Sequence, residues 1–234
     1  MNPIHIKYCF VIDEQKTEIL NLAIDSQSLE LINNKDQVKP AWTCLDYHQC
    51  PHCPLDTQTH PHCPVAVNLI DVVGRFKNIC SYQKLYLEVT TQERKVSQHT
   101  TAQRAISSLL GLLFATSGCP FTEYMKPMAR FHLPLASEQD TIFRASGMYL
   151  LAQYFLQKKE QSSEKGLDGL KQIYKDLHML NIMLTKRIHS ATPADSSVNA
   201  VVILDTFTKL MPFAIEENLN EIEPLFQAYF SPSE

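Results

Sequence analysis

The chain has 234 residues, 44% hydrophobic and 20% charged, with a formal net charge of −4; this is ordinary globular composition, with enough apolar surface for a sizeable core. The mild acidity lacks the basic footprint that phosphate backbones select, so no nucleic-acid partner is expected. Six glycines argue against a glycine-rich phosphate cradle, and the length suits one large domain over residues 1–234.

Residues 4–12 are rich in β-formers, Asp13-Glu14-Gln15-Lys16 is a polar turn, and Thr17–Ile24 alternates, which predicts a β-hairpin. Ser28–Ile32 is a candidate third strand. Pro40, Pro51, Pro54, Pro61 and Pro64 rule out a continuous helix or a central strand from 40 to 64, and a coil of that length needs a reason. Pro64 suits the first turn of a helix to about Phe76, with Val65, Leu69, Val72, Val73 and Phe76 on one side. Residues 82–91 alternate, with Leu85, Leu87 and Val89 on one face, and predict a strand that joins the hairpin in an antiparallel sheet.

From Thr100 the pattern is helical. Thr100-Thr101-Ala102-Gln103 matches a capping box, Ala102, Ala105, Ile106, Leu109, Leu110 and Leu113 follow at helical spacing, and Gly118 is a stop. Ser137-Glu138-Gln139-Asp140 opens a helix that is apolar nearly all round through Leu156, which predicts a central place in a bundle. Leu167, Leu170, Ile173, Tyr174, Leu177, Leu180, Leu184 and Ile188 form an amphipathic stripe. Asp195-Ser196-Ser197 starts another helix that Pro212 ends, and a last helical stretch holds Leu219, Ile222, Leu225, Phe226 and Tyr229. The most apolar stretches, Ala105–Ala115 and Met148–Leu156, fall short of the roughly 20 residues that a bilayer demands, so no membrane association is expected. The fold class is therefore α+β: a small N-terminal antiparallel sheet (1–39 supplying its hairpin), a Cys-rich metal-binding loop with a strand and helices (40–135), and a C-terminal helical bundle (136–234), with a seam near residue 135.

Seven cysteines, an odd number, and no secretory leader argue against a disulfide framework and for a cytoplasmic protein. Four Cys and four His fall between Cys44 and Cys63. Cys50-x-x-Cys53 lets two thiolates reach one ion from a tight turn, and neutral imidazoles at His48, His52, His60 and His62 are further donors. Cys50, Cys53 and Cys63 are the core of the expected site; the fourth ligand is Cys44, His48, His62 or the distant Cys119. Each of Cys50, Cys53, Cys63 and Cys119 precedes a proline, which places its sulfur on an extended loop corner. Structural zinc is the leading expectation, an iron–sulfur cluster the first alternative, since Cys-Pro endings accompany such ligation. A thiol redox pair and unligated cysteines stay open. Too few apolar side chains lie between Trp42 and Pro64 to order that stretch, so sulfur–metal bonds are expected to fix its shape. Trp42, the single tryptophan, packs on the loop or shields a metal. Asp46 is an acceptor for a histidine or simply exposed. Cys9 and Cys80 are expected as small core fillers.

A second constellation makes Cys119 a nucleophile with His132 as base and Lys126 and Arg130 as anion clamps. The competing reading has Gly118 capping a helix and both Arg130 and His132 in ordinary buried hydrogen bonds. The motifs His48-Gln49-Cys50-Pro51-His52-Cys53-Pro54, His62-Cys63-Pro64, Thr116-Ser117-Gly118-Cys119-Pro120 and Met128-Ala129-Arg130-Phe131-His132-Leu133-Pro134 together resemble an uncharacterised bacterial domain-of-unknown-function family over almost the whole chain. The resemblance implies no activity. It does imply that Cys44 is not a ligand, and favours Cys119 or His48 as the fourth. The functional expectation is a non-catalytic, structural-zinc protein that acts by binding a protein partner, with regulation or homodimer formation as options. An iron–sulfur redox or gas sensor and a Cys/His enzyme are the alternatives.

Overall fold

Tyr8 sets the geometry of the sheet. It sits opposite Leu20 on one side and Val89 on the other, at the centre of an alternating pattern that buries one face. Strands β1 (Ile4–Val11), β2 (Thr17–Ile24), β3 (Lys84–Thr90) and β4 (Lys95–Thr101) form an antiparallel sheet in the order β2-β1-β3-β4. Ile6, Tyr8, Phe10, Leu20, Leu22, Leu85, Leu87 and Val89 are buried, as period two requires when one face meets the core. The structure, a computed structural model, describes residues 2–32, 37–191 and 195–230, without the side chains of Ser196, Phe207 and residues 210–218.

The hairpin forms as the sequence predicts. The third strand does not: around Ser28–Ile32 only Leu31 makes a lone bridge, to Ile24, and its amide donates to the Thr116 carbonyl. The proposed capping box at Thr100 is overturned as well. Thr100 and Thr101 end β4, and Thr101 makes no side-chain capping bond. β4 is a polar edge strand, exposed along most of its length, with Lys95 paired to Glu88 at 3.0 Å; charge on an edge discourages pairing with another chain.

The expected helix from Pro64 is two, α1 (Pro64–Asn68) and α2 (Ile70–Phe76). Phe76 from α2 meets Phe10 edge-on, centroids 4.8 Å apart. Helix α3 (Ala102–Ala115) buries Ala105, Ile106, Leu109, Leu110 and Leu113. Gly118 follows with φ +77°, a conformation open to glycine at no steric cost. A short helix α4 (Lys126–Arg130) precedes α5 (Glu138–Lys158), whose capping box is formed on both sides by Ser137 and Asp140. Helix α6 (Asp168–Ala191) buries Leu170, Tyr174, Leu177, Leu180, Leu184 and Ile188, the predicted stripe. Helix α7 (Asp195–Ile222) starts where expected but runs on past Pro212. A 3-10 turn at Glu223–Phe226 and a short α8 (Gln227–Phe230) follow.

Helix α5 is not central. It buries Ile142, Ala145, Ser146 and Tyr149, while Phe143, Leu150, Leu151, Tyr154 and Phe155 are exposed. The continuous core instead joins the sheet, α1–α3, and residues of α6 and α7 such as Leu184, Ile188 and Val201. A smaller cluster joins α5 to the first half of α6. Ser81, ahead of β3, donates from its amide and hydroxyl to Asp195 at the start of α7, both at 3.0 Å. No helix among the described residues is long and apolar enough to cross a membrane.

Candidate metal centre

The 40–64 segment closes on itself. The Leu45 amide donates to the Pro61 carbonyl (3.0 Å) and the Cys63 amide to the Thr43 carbonyl (2.8 Å), so the two ends run antiparallel through a Cys44–His62 bridge. The Thr43 hydroxyl donates to the Pro40 carbonyl and lies 2.9 Å from His62 Nδ1. A guanidinium then pins this knot to the bundle. Arg187 of α6, 2% exposed, donates from Nη1 to the carbonyls of Trp42 (3.0 Å) and Cys44 (2.6 Å) and from Nη2 to that of Leu45 (2.9 Å). The premise that only metal–sulfur bonds could order this stretch is therefore corrected: backbone pairing and Arg187 also shape it. Sequence reading missed Arg187. The signal was a cation three residues after Leu184, on the apolar stripe.

The thiols gather from three separate places. The Cys53 amide donates to the Cys50 carbonyl at 3.0 Å, the tight turn expected of the Cys-x-x-Cys pair. Cys63 occupies the N-cap position of α1. Cys119 is buried in the turn after Gly118, held by its carbonyl accepting from the Thr122 amide (2.9 Å) and its amide donating to Ser117 Oγ (3.2 Å). Desolvation pushes the Cys50 thiol up to about 12, with the charges of Cys63 and Cys53 adding to it and Arg187 opposing. Cys119 is likewise pushed up to about 12, first by desolvation and then by Cys63 and Cys50. Cys63 is raised by desolvation and by Cys53, opposed by the Ala66 and Val65 amides and by Arg187. Cys50 and Cys63 are thus each within electrostatic reach of Cys53 and Cys119, and both feel the buried Arg187 cation. As bare thiols Cys50, Cys63 and Cys119 stay protonated at neutral pH; a bound cation would reverse this. Among the described residues, no three His, Cys, Asp or Glu side chains are grouped so that they could hold a metal ion as they stand.

The other predicted donors lie elsewhere. His48 is exposed, in a left-handed conformation (φ 49°), its ring edge-on to Tyr47. His52 and His60 are exposed, His60 Nδ1 lying 3.0 Å from Thr59 Oγ1. His62 is engaged by Thr43, and Cys44 is half-buried. Asp46 is exposed, and Trp42 is half-buried against the core. Cys80 is exposed and Cys9 half-buried, so neither is the core filler expected.

The catalytic constellation is not assembled. His132 meets the Tyr8 hydroxyl through Nε2, and burial lowers its pKa to about 4. No hydrogen bond joins it to Cys119 among the described residues. Arg130 lies over the Phe131 ring, 5.3 Å from its centroid, and Lys126 pairs with Glu30 and Glu123. No curated protein and no solved structure gives a significant match to this chain. Residues 6–227 match the domain of unknown function DUF6901, and the chain belongs to that family.

Proposed function

We propose that Cys50, Cys53, Cys63 and Cys119 hold one structural zinc ion in a non-catalytic cytoplasmic protein that acts by binding a protein partner. The observation that supports this reading is the electrostatic coupling of Cys50 and Cys63 to Cys53, Cys119 and the buried Arg187, across three separate segments. The donor chemistry fits zinc: four thiolates make a closed structural site with no open position for substrate. Four sulfurs around a divalent ion carry net negative charge, and a buried guanidinium offsets part of it. Bound metal would then contribute folding free energy directly.

Protein purified under reducing conditions is expected to contain about one zinc per chain, the stoichiometry of a single closed site. Cys50→Ser and Cys119→Ser are expected to lose it and His48→Ala to retain it. Full metal removal with an unchanged melting temperature would overturn the structural role. An iron–sulfur cluster is the second reading, favoured by the proline after each of the four cysteines and by the amides of Val65 and Ala66 close to the Cys63 sulfur; a brown anaerobic sample containing iron would select it. The partner half is supported by the exposed apolar side chains of α5, a patch of the kind that marks interaction surfaces. Sedimentation tests its homodimer form.

A further inference from the structure

A cavity of about 300 Å³ opens between α3, α4, the 131–137 segment, α5, α6 and α7. Its wall is mostly apolar, with Leu112, Met125, Met128, Ala129, Leu135 and Leu177 among the lining residues. None of the seven cysteines lines it, so it is separate from the candidate metal centre and independent of that reading. An engineered apolar cavity of about 150 Å³ takes up benzene, so this volume suits about a dozen non-hydrogen atoms.

Two guanidinium groups, Arg104 and Arg144, line the cavity against one carboxylate, Glu138. Arg144 is only half satisfied. Its Nη2 donates to the carbonyls of Phe131 (2.7 Å) and Met128 (3.2 Å), which fixes the group in place. Among the described residues no carboxylate forms an ion pair with it. Asp140, the nearest acid by its electrostatic effect on Arg144, is engaged with the Ser137 amide and hydroxyl at 2.9 and 2.7 Å. A partly desolvated guanidinium with free donors, at an apolar cavity, is the arrangement that recognises a carboxylate.

Gly111 supplies a second observation. It lies inside α3, lines the cavity, and a Cβ built on it would meet nothing within 4 Å. Glycine is a poor residue for a helix interior, and here its missing side chain leaves the space open.

We propose that this cavity binds a small, mostly apolar carboxylic acid, with its hydrocarbon between α3 and α6 and its carboxylate on Arg144. Decanoate, decanol and decylammonium, titrated calorimetrically into the protein as purified, separate the two recognition elements. Decanoate is expected to bind with one saturable site and about tenfold more tightly than decanol, the weight of one charge-assisted hydrogen bond, with decylammonium weakest. Arg144→Met is expected to bring decanoate down to the decanol level and leave decanol unchanged. Gly111→Phe fills the cavity and is expected to abolish binding of all three, whereas Gly111→Ala keeps it. Should Arg144→Met melt early, the glycine pair decides by itself, since it leaves every described hydrogen bond in place. Equal binding of decanoate and decanol, decanoate binding that survives Gly111→Phe in a natively folded variant, or no saturable binding at all would overturn the proposal.

Discussion

Arg187 is the residue on which the 40–64 loop and the bundle meet. A buried guanidinium that serves three backbone carbonyls of one short stretch takes its hydrogen bonds from all three when it is removed, and of these Cys44 alone keeps another donor among the described residues, the Tyr47 amide at 3.2 Å. Arg187→Met is therefore expected to cost about 3 kcal/mol or more, read as a fall in the urea midpoint, and Arg187→Lys to recover only a part, because an ammonium lacks the planar fork. A loss below about 1 kcal/mol would show that water replaces the clamp. His132 yields a pH dependence. Its pKa is lowered from 6.5 to about 4 by burial, so as pH falls the unfolded chain takes up a proton before the folded one does. The neutral ring's contribution is complete above pH 6.5 and declines between 6.5 and about 4, by about 3 kcal/mol in all. His132→Gln is expected to flatten that part of the stability–pH curve relative to the parent, and parallel curves would refute the assignment. Of these two residues, only His132 stood out in the sequence, as a catalytic base or as a partner in an ordinary buried hydrogen bond, and its bond to Tyr8 is the second of these. Arg187 was hidden because a stripe of apolar positions reads as uniform until the partner that needs a donor is known.

At the level of elements, what the chain reveals depends on whether burial follows its period. β1, β2 and β3 are legible because their inward faces alternate cleanly. β4 is not: Lys95–Thr101 has no apolar face to announce it, since an edge strand is held by its neighbour's hydrogen bonds. The corners of the candidate site are legible because Cys-x-x-Cys and Cys-Pro are local signals, while the convergence of Cys119 on them depends on where α3 ends. α5 misleads in the opposite direction, because an all-round apolar sequence is also what a peripheral helix with an uncovered face looks like. Its surplus helix cost can be tested. Gly147 is exposed within α5 and an added Cβ meets nothing within 4 Å, so Gly147→Ala is expected to stabilise by about 0.5–1 kcal/mol. Calorimetry should show the melting temperature rise by about 1–3 °C. A fall would mean that backbone at this position is strained in a way the helix does not reveal. α7 shows the limit of proline as a terminator: a helix packed along much of its length can bear the loss of one hydrogen bond at Pro212.

The seam expected near residue 135 does not divide the apolar interior. Leu180, Leu184, Ile188, Ala200 and Val201 belong to the same cluster as Tyr8, Phe10 and Leu109, and Arg187, between two of them in sequence, grips the loop that carries Trp42. Trp42 therefore reports on the corner where the thiols gather, whereas far-UV circular dichroism reports on the helices. If the loop drew its order from local contacts alone, its fluorescence would change at lower denaturant than the helical signal. With its anchor inside α6, loosening the loop exposes Arg187 and the core behind it, so the two transitions are expected to coincide. If the proposed zinc is bound, its removal by a strong chelator is expected to lower both midpoints by the same amount, since metal bound to the folded form would stabilise whatever unfolds with the site. A chelator that shifts the Trp42 transition and leaves the helical one in place would show instead that the proposed metal orders its loop without holding the fold.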